Sequence, residues 1–189
     1  MTDMELAPLE RLDFDSLIRW TTSPEFLLQW AGPSFSYPLT AEQLDEHCRG
    51  CAAEPPLREM WKAVLPRSGE MIGHAELGSI DYAARTATVS RVIIGDPLER
   101  GKGFGTTLMQ LLLRRAFEGI GLRALDLYVF DFNRRAVDCY ARVGFTIDAH
   151  MQNVRRVADG YWSMYRMVMQ RTGSGSRASA PATPPLPSG

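Results

Sequence analysis

The six residues Arg100-Gly101-Lys102-Gly103-Phe104-Gly105 are the clearest place in this chain where residue type and spacing could do chemistry. They follow Val92-Ile93-Ile94 and Gly95-Asp96-Pro97, and they lead through Thr106 into a long run of periodic apolar residues. Glycine at every second position removes Cβ atoms where a backbone must come close to a ligand. A helix that begins directly behind such a turn offers free N–H groups and the positive end of its dipole. Together these suit a phosphate or pyrophosphate, and Arg100 and Lys102 add positive charge. The spacing G-x-G-x-G is not the G-x-x-x-x-G-K-[ST] of a P-loop, nor the G-x-G-x-x-G of a dinucleotide fold. By its glycines alone the turn indicates a bound anion, and a plain strand-to-helix connection could use the same residues.

A second block, Asn133 to Phe145, reads NRRAVDCYARVGF. Asn133 opens a short helix and could be its N-cap or a ligand-facing amide. Tyr140 lies seven residues further on, on the apolar face of that helix, and reads either as core or as an acid. A phenol with an ordinary pKa of about 10 keeps its proton at neutral pH until a stronger base takes it.

Arg100-x-x-Gly103-x-Gly105 behind Asp96-Pro97 resembles the acetyl-CoA signature of the GCN5-related N-acetyltransferases (GNAT), [Q/R]-x-x-G-x-[G/A]. Asn133, Ala136, Tyr140, Gly144 and Phe145 resemble the family's N-x-x-A-x-x-x-Y-x-x-x-G-F block, in the right order behind the first motif. The resemblance covers about Val92 to Phe145. It implies an α+β fold with a mixed, mostly antiparallel central sheet and helices on both faces. It implies that acetyl-CoA is the acyl donor and that no metal takes part. The backbone of Ile93, Ile94 and Gly95 would then pair with the pantetheine arm. The amides of Gly101, Lys102, Gly103, Phe104, Gly105 and Thr106, beside the Arg100 charge, would hold the pyrophosphate. Asn133 would contact the pantetheine, and Tyr140 would protonate the leaving thiolate. The acceptor implied is a primary amine of a small molecule or peptide. Two N-terminal helices and the late Tyr161-Trp162 resemble the layout of ribosomal-protein N-terminal and aminoglycoside acetyltransferases. Homodimerisation through the C-terminal half is a family habit. A non-catalytic acyl-CoA sensor of the same fold is the alternative, and a nucleotide-binding protein of another fold is a third.

Acetyl transfer needs a neutral amine, so a proton acceptor is expected. Some relatives carry a Glu five residues before the Asn; here that position is Tyr128. Glu76 is the strand carboxylate expected to serve as catalytic base, with Asp126 as the other candidate. Ser90 and Arg91, where many relatives of the resembled family have apolar or Gly residues, are unexplained by the sequence.

The elements that must position these residues follow from periodicity. Leu6 to Leu9 reads as a short strand. Helices are expected from the cap Asp13 to Trp20, around Pro24 to Trp30, and from the capping-box residue Thr40 to about Ala53. Strands are expected at Arg58–Leu65, Met71–Tyr82 and Thr86–Ile94. A helix at Gly103–Glu118, a strand at Ala124–Phe130 and a helix at Asn133–Arg142 follow. A last hairpin joins Phe145–Arg156 to Tyr161–Met169 through a turn at 157–160. The crossover from Thr86 to Phe130 makes its two strands parallel.

The chain has 189 residues, 45% hydrophobic and 23% charged, which fits one globular domain over residues 1–171. Residues 172–189 are rich in Pro, Ser and Gly and read as a disordered tail. A net charge of −1 supplies no global field for nucleic acid. No membrane span is visible, and the acidic N-terminus is unlike a signal peptide, so a cytoplasmic location is expected. Three cysteines, two of them a lone Cys48-x-x-Cys51, are too few for a disulfide framework or a zinc site.

Overall fold

The computed structural model describes residues 4–158 and 160–171; the expected tail and Asp159 of the last turn lie outside them. Seven strands form one sheet: β1 (Glu5–Pro8), β2 (Glu59–Leu65), β3 (Glu70–Asp81), β4 (Thr86–Ile94), β5 (Ala124–Phe130), β6 (Thr146–Val157) and β7 (Gly160–Gln170). Their order is β1-β2-β3-β4-β5-β7-β6. The β4–β5 pair is parallel and the others are antiparallel. The five α-helices are α1 (Phe14–Trp20), α2 (Pro24–Ala31), α3 (Ala41–Cys48), α4 (Phe104–Arg114) and α5 (Arg134–Arg142). The mixed α+β architecture and the parallel crossover agree with the sequence reading.

Alternation along β3 shows how the layers form. Ala75 and Leu77 join the core against Leu108, Met109 and Leu112 of α4, and Tyr140 and Cys139 of α5 pack on the same cluster. His74 and Glu76 point the other way, where His74 meets the ring of Trp30 of α2 and Glu76 meets His47 of α3. On that side Phe14, Leu17, Leu27, Leu39 and Leu44 make a second core under α1 to α3. Helices therefore cover both faces, α4 and α5 on one and α1 to α3 on the other.

Three helix ends differ from expectation. Asp13 does not cap α1; its carboxylate accepts from the Glu10 amide and from Lys62 Nζ, each at 2.8 Å, and so closes the 3₁₀ turn ahead of the helix. Thr40 caps α3, accepting from the Gln43 amide at 3.3 Å, but the Gln43 side chain turns to the carbonyls of Ser36 and Pro38 instead of completing the box. The α-helical part ends at Cys48 and a 3₁₀ turn at Arg49–Cys51 follows. Helix α4 widens into a π turn at Arg115–Ile120, a register that keeps Ala116 and Phe117 buried while Arg115 reaches Glu59 at 2.6 Å.

Two irregularities prepare the site. Strands β4 and β5 pair from Thr86↔Ala124 to Val89↔Leu127, and beyond that both run on unpaired to each other. The sheet is open between them there. Just past this point β4 bulges: His74 pairs with Ile93 and Glu76 with Ser90, so Arg91 and Val92 stand opposite Ala75 alone. Arg91 takes a φ of 50°, a left-handed conformation that costs a residue with a Cβ about 1–2 kcal/mol. Something must hold it there, and Trp30 Nε1 donates to the Arg91 carbonyl at 2.9 Å.

Candidate active site

The Gly-rich turn delivers the chain from β4 into α4. Gly101 and Gly103 have φ of 85° and 93°, and an added Cβ at either would point into open space. Their freedom is therefore required by backbone conformation, and the space above them is left for a ligand. Gly103 occupies the N-cap of α4 and brings no side chain to its first amides. The amides of Phe104, Gly105 and Thr106 are thus donors without a capping side chain among the described residues, on the positive end of an 11-residue helix. These features fit the pyrophosphate of acetyl-CoA. Gly95 has a different reason for being glycine: a Cβ there would stand 1.8 Å from Trp20 Cε2, inside the ring.

The two cations of the motif do not behave alike. Arg100 folds back onto the strand end, its Nε donating to the Ile94 carbonyl at 2.8 Å and its Nη2 to the Gly95 carbonyl at 3.0 Å. Its guanidinium lies 5.5 Å from the Phe26 ring centroid. Its work is to tie the turn to β4 and α2. Lys102 is exposed and pairs with Glu99 at 2.9 Å. A cation that sequence reasoning missed, Arg142 of α5, reaches Thr106 Oγ1 at 3.4 Å and so adds its charge at the mouth of α4.

Asn133 is indeed a cap, accepting from the Ala136 amide at 3.3 Å through Oδ1, and its Nδ2 has no partner among the described residues. Tyr140 is partly buried, edge-on to Phe145 at 6.3 Å, and its hydroxyl has no hydrogen-bond partner among the described residues. Burial, helped by Cys139, pushes the phenol above its ordinary value. It therefore holds its proton throughout the neutral range.

Glu76 lies on the opposite face and is completely buried. Its Oε2 is 2.9 Å from His47 Nε2, 3.0 Å from Arg58 Nη1 and 2.9 Å from Arg91 Nη1, while Oε1 is 3.1 Å from His74 Nε2. Phe35 caps the group, with Arg91 5.2 Å from its centroid and the His47 ring at 5.0 Å. Burial opposes the charge on Glu76, but the hydrogen bonds from His47 and His74 and the Arg91 charge overcome it and hold the carboxyl well below its ordinary value. A carboxylate so paired is a weak proton acceptor, which counts against the base role expected for it. What it does is clamp the strained Arg91 of the β4 bulge. Asp126, the other candidate, accepts from Thr88 Oγ1 at 2.7 Å and from Arg166 Nε at 3.2 Å. It too is engaged in the fold.

No periodicity connects His47, Arg58, His74 and Arg91 to Glu76, so the cluster was invisible as a cluster. The one available signal was Arg91 in an apolar strand, since a buried arginine needs a partner. Cys48 and Cys51 are not part of the site; Cys48 Sγ lies 3.5 Å from Met60 Sδ, and burial pushes its thiol up to about 11.

The same cluster sets an acid limit on stability. Burial lowers the His47 pKa below its ordinary value, outweighing the pull of Glu76. The unfolded chain then binds the proton more readily than the folded one, so stability present above about pH 6.5 is lost as pH falls through the folded value. Glu76, also depressed, adds a second loss below about pH 4.3. The thermal midpoint should fall on going from pH 7.5 to 5.5, and His47→Gln should flatten that slope. An unchanged slope in the variant would remove His47 from the account.

The profile of the acetyltransferase (GNAT) family matches residues 24–145. Spermidine N(1)-acetyltransferase of Escherichia coli (strain K12) is 24% identical over 165 residues, covering 87% of this chain and 84% of that protein. The protein of the same name from Vibrio cholerae (serotype O1) is 32% identical over 97 residues, 51% of this chain and 55% of the relative. The crystal structure of spermidine N-acetyltransferase from Vibrio cholerae in complex with CoA and spermine superposes with a TM-score of 0.77 at 24% identity, covering 90% of this chain and 96% of that one. The match spans the cradle, Tyr140 and the whole Glu76 cluster. This chain belongs to the acetyltransferase (GNAT) family and is an acetyl-CoA-dependent N-acetyltransferase.

Proposed function

We propose that the acetyl group passes directly to a primary amine of a small molecule or peptide at the opening between β4 and β5. The observation that carries this is the parting of those strands after Val89 and Leu127. It leaves a gap in the sheet between the face that carries the uncapped α4 amides and Tyr140 and the face lined by α2 and α3. Acetyl-CoA supplies the activated thioester. The amides of Gly101 to Thr106 hold its pyrophosphate, with Arg142 and Lys102 adding charge. The Ile94 amide and the Asn133 side-chain amide orient the pantetheine, whereas the expected Ile93 and Gly95 backbone is already engaged, Ile93 paired with His74 of β3 and the Gly95 amide donating to the Ile72 carbonyl at 2.9 Å. Arg100 keeps the turn in place and occupies the Ile94 carbonyl, so Ile94 contributes through its amide. Tyr140 donates its proton to the departing sulfur as the amine nitrogen bonds to the carbonyl carbon. Glu76 acts through Arg91 as a positioning residue, and the ammonium proton leaves to water. The relatives' polyamine is a candidate acceptor. Cytoplasmic residence and self-association belong to the same reading, and a dodecamer is described for the Vibrio cholerae protein.

The test joins binding to turnover. CoA at a hundredfold excess over its Kd should raise the thermal midpoint by about 5–10 °C, while ATP and NAD leave it unchanged. Thiol release from acetyl-CoA should require an added amine. CoA binding with no thiol release on any amine would instead identify an acyl-CoA sensor. Stabilisation by ATP or NAD alone would overturn the donor.

A further inference from the structure

We infer that the face of α5 carrying Arg135 and Arg142 is a second phosphate site, which reads the 3′-phosphate on the nucleotide of acetyl-CoA; this rests on the donor proposed at the Gly-rich turn. Arg135 and Arg142 fall at positions that the family block from Asn133 to Phe145 leaves open. With Cys139 between them they are spaced by four and three residues, which puts all three on one face of α5.

That face is turned to the start of α4. Cys139 Sγ lies 3.8 Å from Thr106 Oγ1, and a Cβ on Gly105 would stand 3.6 Å from the same sulfur. Arg142 Nη1 donates to Thr106 Oγ1 at 3.4 Å. Arg135 reaches the other side of the turn: burial lowers the Arg100 pKa, Asp96 draws it back up, and the Arg135 charge pushes it down. The two guanidinium groups thus flank the amides that would hold the pyrophosphate. Seven residues of helix set their stems about 10 Å apart.

The charge around them is not balanced by the protein. Arg134, Arg135 and Arg142 share α5 with one acid, Asp138, and none of the four is in an ion pair among the described residues. The neighbouring acids are engaged elsewhere. Glu99 pairs with Lys102, Asp96 accepts from the Leu98 amide at 2.8 Å, and Asp131 meets His150 at 2.9 Å. A pyrophosphate on the α4 amides leaves the exposed α5 arginines over. CoA carries its remaining phosphate one ribose away, as a monoester close to doubly charged at neutral pH. Arginine binds such a group by charge-assisted, often bidentate, hydrogen bonds.

Calorimetry with CoA and with dephospho-CoA reads this site without an acceptor. Dephospho-CoA should bind the wild-type protein about tenfold or more weakly than CoA. In the double variant Arg135→Gln/Arg142→Gln the ratio of the two Kd values should fall to about threefold or less. Both side chains are exposed, so the variant keeps its fold, and the ratio cancels any loss of pyrophosphate affinity common to the two ligands. A wild-type ratio below about fivefold, or a ratio unchanged in the variant, overturns this inference and leaves the donor site standing. Binding of neither ligand at millimolar concentration overturns the inference and the proposed donor site together.

Discussion

Tyr140→Phe should lower kcat for acetyl transfer about a hundredfold, with the KM for acetyl-CoA changed by less than about threefold. The leaving thiolate needs a proton at the moment the C–S bond breaks, and no other acid on α5 is placed by the sequence motif to give one. The phenol suits the task because burial holds it above its ordinary pKa, so the protonated form is fully populated at pH 7. The wild-type rate should consequently show no alkaline loss from this group until pH exceeds about 10. Stability offers the control. The Tyr140 hydroxyl has no hydrogen-bond partner among the described residues, so its removal should leave the thermal midpoint nearly unchanged. A kcat within twofold of wild type would mean that Tyr140 is core packing and that water protonates the sulfur.

Glu76→Ala should destabilise the fold by about 3–5 kcal/mol, measured by urea unfolding at pH 7. The loss comes less from contacts removed than from charges abandoned. Arg91, 9% exposed, would lose its only carboxylate partner among the described residues while staying buried. Arg58 and the imidazoles of His47 and His74 would lose the same partner. The β4 bulge should then relax, because the Trp30–Arg91 hydrogen bond and the Phe35 ring would hold the left-handed Arg91 without a counter-charge. Adding Arg91→Met to Glu76→Ala should restore part of the stability, since the pair is removed together instead of being broken. A single-variant loss below about 1 kcal/mol would show that the cluster is solvated and does not clamp the bulge. The chemical counterpart is a pH profile: if Glu76 were the base, Glu76→Gln would abolish the acidic limb of kcat/KM, whereas a positioning residue leaves that limb in place.

Strand and helix positions were legible because they depend on local periodicity. Thr86–Ile94 and Ala124–Phe130 came out at their observed bounds. The boundaries that moved were those decided by distant partners. Asp13 left its helix for Lys62 on β2, Gln43 left its cap for the loop at Ser36 and Pro38, and α4 changed its winding where Arg115 meets Glu59. The missing local signal in each case is a side chain that prefers a partner far along the chain to the backbone beside it.

The conformation of the Gly-rich turn and the helix that carries Asn133 and Tyr140 were determined by sequence alone. The roles proposed for them depend on backbone conformation and short-range spacing, which the order of residues dictates. Glycines at 101 and 103 take left-handed φ wherever the chain folds, and the helix behind them presents its amides regardless of the rest. The fate of the carboxylates was decided only by the tertiary structure. Glu76 reads as a base when its strand is considered alone. It becomes a sealed counter-ion once His47 from α3, Arg58 from the edge of β2 and Arg91 from the β4 bulge converge on it. The charge state and accessibility of a buried group are properties of everything packed around it. Sequence spacing carries no record of that packing.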